Sequence, residues 1–187
     1  TARYGYHLDA NRRASAVVEV SCPVRTIADF GALSYLVGRA VGHGVPWFAD
    51  LASWLPELGG ELPSGGPAVD RLKTLGAGLA AYGAVALYHV AGYTPEAADL
   101  GERLIRPDAV TLTVRSLDEA YRVMDADPEQ HTVDMVTIGC PHASLSELQE
   151  IAAALRGRRL ATRLWVTTAA ITRARGMELG YVQPIED

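Results

Sequence analysis

From residue 85 onward the chain alternates two hydrophobic periods. Short runs rich in β-branched residues read as strands: 85–90 (VALYHV), 109–114 (AVTLTV), 133–138 (VDMVTI), 163–167 (RLWVT) and 181–185 (YVQPI). The intervals between them carry helix starts. Thr94 precedes Pro95, an N-cap followed by a proline at the first helical position. Ser116 with Glu119, and Ser144 with Glu147, have capping-box spacing. The helix from Ser144 buries Leu145, Leu148, Ile151, Ala152 and Leu155 and stops at Gly157, and a last helix covers 169–179. Strands separated by helices join in parallel, so this order predicts an α/β fold: a mostly parallel sheet with helices on both faces, in three layers. The run 85–90 is apolar on both faces and is expected in the centre of the sheet.

The first 84 residues are less regular. Residues 15–20 (SAVVEV) read as a strand and 26–41 as a helix ended by Gly42. Residues 42–67 are dense in Gly and Pro and predict a long surface loop with one short helix, whose Trp47, Phe48, Trp54 and Leu55 must still pack somewhere. A helix is expected over 68–81, where Gly76, Gly78 and Gly83 would let it sit close to a sheet. The organisation expected is an N-terminal part, 1–84, and an alternating strand–helix domain, 85–187. The 187 residues suit one domain, or a domain and part of another. The first residue is not Met and the last segment is strand-like, so both ends read as cut and a longer protein is expected.

With 49% hydrophobic residues the chain can fill a core. A net charge of −5 argues against a nucleic-acid surface, and the tight group Arg156, Arg158 and Arg159 suits a helix end. No run of about 18 apolar residues predicts a membrane helix. Two cysteines make no disulfide framework, and a reduced, cytoplasmic protein is expected.

Ligands of parallel sheets gather beyond the carboxyl ends of the strands. Three polar clusters fall there: 139–144 (GCPHAS), 166–168 (VTT) and 89–94 (HVAGYT). If their strands are neighbours, all three line one edge. Cys140 lies between a glycine and a helix N-terminus, which favours thiolate, the form that binds metal or attacks; a cysteine can equally pack as a small hydrophobe. His142 suits hydrogen bonding to substrate or proton transfer, or the capping of a loop carbonyl. Ser144 serves as an N-cap, and Thr167 and Thr168 can end a strand and cap the next helix. His7, Asp9, Asn11 and Arg12 form a polar turn that says little alone, and Cys22 before Pro23 reads as structural. No dinucleotide fingerprint, phosphate loop, HExxH or serine elbow occurs.

The stretch GCPHASLSELQEIAAALRGRRLATRLWVTT resembles the late catalytic-domain segment of the aconitase X family, and YGYHLDANRRASAVVEV looks like that family's YGLHL-x-x-NR segment. DFGALSYLVGRAVGHGVP and VALYHVAGYTPEA also match in kind and order, so the resemblance covers essentially the whole chain. It implies a hydro-lyase that removes water from a small hydroxy acid, using an iron centre or iron–sulfur cluster. Cys140 becomes a metal-ligand candidate and His142 a catalytic one; Ser144, Thr167, Thr168, His7 and Asn11 become substrate-binding candidates. It also implies a small swivelling domain or subunit as partner. The family's further cysteine segments and that small domain lie outside this chain, so the isolated chain is expected to hold no intact cluster and to be inactive. The bias to Arg over Lys points to cis-3-hydroxy-L-proline as substrate, with mevalonate 5-phosphate second; for a phosphate, Arg12 and Arg163 are the cations expected near the edge. A non-catalytic α/β module that keeps the fold is the alternative of another class.

Overall fold

The structure, a computed structural model, describes residues 3, 5–56, 66–125, 129 and 132–186. The chain divides into two compact units, one of Thr1–Pro56 with Arg71–Asp125, the other of Glu57–Asp70 with Ala126–Asp187.

Unit 1 is built on a four-stranded sheet of order β3-β2-β1-β4, every pair parallel. β1 (Ala14–Val20) is interior and alternates, with Ala14, Ala16, Val18 and Val20 buried. α1 (Ile27–Val41) starts at a full capping box, in which the Thr26 hydroxyl accepts from Asp29 N and the Asp29 carboxylate accepts from Thr26 N. β2 (Pro46–Phe48) lies within the stretch expected to be loop: three residues, all buried, pair with β1. So short a run shows no period, and the flanking Gly and Pro mask it. A 3-10 turn, Leu51–Trp54, supplies the short helix, and part of the expected loop, 57–65, lies outside the described residues.

α2 (Pro67–Gly83) follows; its Gly76 faces the ring of Tyr88, and its other two expected contact glycines meet a helix rather than a sheet. A Cβ on Gly78 would strike Ser34, and one on Gly83 would strike the Gly38 backbone, both on α1. β3 (His89–Val90) is two residues long and forms an edge, not the centre expected for 85–90. The apolar character of Val85 reflects burial in the core under the sheet rather than strand pairing. α3 (Pro95–Leu100) starts at Thr94. β4 (Ile105–Val114) forms the other edge, and α4 (Asp118–Met124) packs on α1. The expected box at Ser116 does not close: its hydroxyl accepts from Asp118 N while Leu117 takes the N-cap position. One apolar cluster, including Val18, Phe30, Leu33, Phe48, Leu75 and Leu79, forms the core of this unit.

Unit 2 pairs β5 (Met135–Ala143) in parallel with β6 (Arg163–Thr168). α5 (Leu145–Leu155) starts at the expected capping box of Ser144 and Glu147, and α6 (Ala170–Glu178) packs on it. Gly176 fits between Leu148 and Val182. The expected last strand is instead a one-turn helix, α7 (Gln183–Glu186), which contacts α5. Pro184 has no N–H to offer a ladder but suits a first helical turn. The α/β class with parallel pairing holds, but as two sheets rather than one. No helix among the described residues is long and apolar enough to cross a membrane.

Candidate functional site

β5 and β6 run in register from Met135↔Arg163 to Ile138↔Val166, and the next pairing is Ala143↔Thr168. Five residue steps on β5 thus face two on β6. Three residues are thrown out of the ladder within the stretch 139–142, which is the segment expected to lie beyond the strand end. A bulge of this kind redirects side chains, and bulges concentrate beside active sites.

Two features create it. Gly139 has φ +115°, and a Cβ there would collide with the backbone and hydroxyl of Thr167. Thr167 donates its hydroxyl to Gly139 O at 2.7 Å, and Thr168 donates to Ala143 O at 2.6 Å. The two threonines therefore hold the two shoulders of the bulge. They also line a cavity of about 420 Å³ with Leu148, Trp165 and Arg173, the last paired with Glu186 at 2.7 Å.

Cys140 and His142 are exposed on the bulge, with a cis Cys140–Pro141 bond between them. The thiol is thus not a packed core group. Cys22, by contrast, is 7% exposed, and burial pushes its thiol above the usual range, opposed by its own backbone N–H. Ser144 is the N-cap of α5: its hydroxyl accepts from Glu147 N at 3.2 Å, and its N–H donates to the Glu147 carboxylate at 2.8 Å. The same hydroxyl lies 2.9 Å from Ser146 Oγ, which donates to Asp70 Oδ2 at 2.6 Å. Asp70 is a buried carboxylate that sequence reasoning missed. Its one visible signal is an acidic residue beside the apolar stripe of α2.

His7 and Asn11 belong to unit 1. His7 is exposed, and Asn11 donates Nδ2 to Gly5 O at 3.1 Å, closing the N-terminal turn. Arg12 forks onto Glu96 of α3, Nε to Oε1 at 2.5 Å and Nη2 to Oε2 at 2.6 Å, and gives Nη1 to Tyr6 O. The hydrogen bond from Arg12 holds Glu96 below the ordinary carboxylate range against the opposing effect of burial. His89, 1% exposed, meets Arg12 O at 2.8 Å through Nε2 and lies 4.0 Å from Glu96 through Nδ1. This triad was not anticipated as a unit. Arg12 is thereby paired with a carboxylate of its own unit, and Arg163 opens β6, at the end opposite Thr167 and Thr168, so Arg163 does not stand at the bulge. Nor do the three polar clusters line one sheet edge, because β3 pairs with β2 while β5 pairs with β6.

An exposed thiol on a bulge suits a single metal ligand. Among the described residues no group of three or more His, Cys, Asp and Glu could complete a metal site. Iron–sulfur clusters take several cysteines, so Cys140 fits as one ligand of a set the described residues do not fill.

The fold and bulge define a parallel α/β protein of two units with a cysteine raised beside a capped helix. Comparison with known proteins narrows this. Residues 14–122 match the aconitase X second domain and residues 133–187 the aconitase X third domain, so the chain belongs to the aconitase X family. It is 39% identical to the phosphomevalonate dehydratase large subunit of Methanothermobacter thermautotrophicus, over 100% of this chain and 42% of that protein. It is 40% identical to the same subunit of Thermococcus kodakarensis, over 100% of this chain and 44% of that protein. To the cis-3-hydroxy-L-proline dehydratase of Hypocrea jecorina it is 30% identical, over 97% and 30%. The crystal structure of Thermococcus kodakaraensis aconitase X in its holo-form superposes with a TM-score of 0.81 at 39% identity, covering 98% of this chain and 44% of that one. The chain spans less than half the length of these relatives.

Proposed function

We propose that the whole protein is a dehydratase of the aconitase X type, eliminating water from a small hydroxy acid. Family membership together with a thiol displayed on a glycine-dependent bulge carries this reading. The phosphomevalonate relatives named above stand at 39–40% identity and the hydroxyproline relatives at 30–34%, so mevalonate 5-phosphate replaces hydroxyproline as the favoured substrate. Because the former are named large subunits, a small subunit is the partner to expect.

Elimination of water needs a proton removed beside a carboxylate and a hydroxide helped to leave. Cys140 would hold iron or an iron–sulfur cluster together with cysteines from the rest of the protein. What such a centre supplies when bound is Lewis acidity toward the leaving hydroxyl. His142, exposed on the same bulge, would hold or move a proton at the substrate. Thr167 and Thr168 would act through the backbone, fixing the bulge so that Cys140 and His142 keep one geometry. Ser144 would present its hydroxyl at the mouth of α5, oriented by Ser146 and Asp70.

The test is turnover by the full-length protein with its small subunit on mevalonate 5-phosphate and on cis-3-hydroxy-L-proline. A higher kcat/KM for the phosphorylated acid supports the reading; the reverse order restores hydroxyproline. No dehydration of either substrate by iron-loaded protein would leave the non-catalytic module.

A further inference from the structure

Unit 1 carries a second bulge. β1 and β4 pair at Ala14↔Ile105 and next at Ala16↔Val110, so two residue steps on β1 face five on β4. The displaced stretch includes Arg106 and Asp108. Beside it opens a cleft of about 270 Å³, lined by Tyr6, Asn11, Arg13, Ser15, His43 and Arg106. It lies at the amino ends of β1, β2 and β4, the end of the sheet opposite the one where ligands of parallel sheets are expected.

The lining is cationic in a chain of net charge −5. Arg13 donates Nη2 to Ile105 O at 3.1 Å, while its Nε is buried with no partner. A buried guanidinium N–H left unpaired is costly, and a bound anion beside it would offset that cost. Arg106 is paired with Asp108 through Nε at 3.0 Å and Nη2 at 2.8 Å, but that pair is exposed and yields readily to a competing anion. The Ser15 hydroxyl accepts from Val45 N at 3.0 Å and keeps its own proton to donate. Gly44 makes the approach possible, since a Cβ there would press on Ser15 Oγ and Val41. Two arginines, a serine hydroxyl, an amide and an imidazole thus line one open cleft, and Asp108 stands outside that lining as the partner of Arg106.

We propose that this cleft is an oxyanion site that takes phosphate or a phosphate monoester, with Arg13 and Arg106 as its charged donors. It stands on the chemistry of the cleft and is independent of the dehydratase reading.

The experiment is calorimetric titration of the full-length protein with inorganic phosphate at constant ionic strength. Arg106→Met is expected to weaken binding about ten-fold or more, the loss of a charge-assisted pair. Asp108→Asn, which removes the competing carboxylate, is expected to tighten it. Arg13→Met should also weaken binding; Arg106→Met, on an exposed side chain, keeps the test valid if Arg13→Met fails to fold. Where the bound group is the substrate's own phosphate, inorganic phosphate competes with substrate and Arg106→Met raises KM in step with Kd. Where it is free phosphate, KM is unmoved and only the phosphate titration changes. Absence of saturable phosphate binding, or equal binding by wild type, Arg106→Met and Asp108→Asn, overturns the proposal.

Discussion

Gly139→Ala is expected to be among the most damaging single-methyl additions in unit 2, and Gly176→Ala among the mildest. Gly139 has φ +115°, where an L residue carries a strain of about 1–3 kcal/mol. Its new Cβ would also meet the Thr167 carbonyl oxygen and amide. Those are backbone atoms of a paired strand and cannot yield without disturbing the β5–β6 ladder, which adds about 1–3 kcal/mol of overpacking. The sum is a large share of the roughly 5–15 kcal/mol that holds a domain together. At Gly176 the Cβ would lie 3.2 Å from Leu148 Cδ1 and Val182 Cγ2, the ends of flexible side chains. Alanine there also gains roughly 0.5–1 kcal/mol of helix preference, so the net change stays within about 1 kcal/mol. Thermal melts of the two full-length variants, read by circular dichroism, give the comparison. At roughly 2–4 °C per kcal/mol, Gly139→Ala should lower the midpoint by on the order of 10 °C and Gly176→Ala by no more than a few degrees. Equal midpoints would refute the claim that the bulge depends on a residue without a side chain.

In the whole protein, Cys140→Ser should fold with unchanged secondary structure yet lose iron and most turnover; full iron content, measured directly, returns the thiol to a bystander role. The Asp29 carboxylate is pushed up by burial, but this is outweighed by hydrogen bonds from Tyr121 Oη at 2.6 Å and from the Thr26 and Arg25 amides, leaving a pKa of about 2. A pKa below the unfolded value gives stability that is present above about pH 4 and is lost as pH falls through about 2. The contribution is about 2 kcal/mol if fully shielded and nearer 1 kcal/mol given its partial exposure. Asp29→Asn should therefore lower the urea midpoint at pH 7 and flatten its decline between pH 4 and 2; parallel pH profiles for the two proteins would count against the cap.

The elements legible in the sequence were those whose signal is local. Ser144 and Glu147 sit at capping spacing and cap as expected, and Thr26 and Asp29, not singled out in the sequence, close the same box, whereas Ser116 and Glu119 have the spacing without closing it. β2 and β3 were misjudged for the converse reason. Three residues at Pro46–Phe48 become a strand because β1 runs beside them, and two at His89–Val90 because β2 does, and partner choice is a long-range matter. Residues 181–185 had strand-like composition, but Pro184 and contact with α5 turned them into a helix. At the site, the glycine, the cysteine and the two threonines were visible as types. That Thr167 and Thr168 face the backbone of β5 was not, since it depends on a register shift no single strand encodes. Arg13, His43 and Arg106 come from three separate segments and gave no joint signal.

The two cysteines make the same point within one dipeptide. Cys22-Pro23 and Cys140-Pro141 both follow β-branched runs, and the local difference between them is the preceding residue, Ser21 in one and Gly139 in the other. β1 and β4 stay in register up to Val20↔Val114, and Ser21 N continues to Val114 O. The chain therefore leaves the sheet still directed along the core, and Cys22 packs with Val24 and Phe30. β5 loses register after Ile138, five residues before its end at Ala143, because Gly139 turns under Thr167, and Cys140 leaves the ladder into solvent. Burial raises the pKa of the first thiol and so disfavours its thiolate, whereas the second thiol stands exposed. The chemical difference between these residues thus originates in the neighbouring strand, in whether a threonine there meets a glycine.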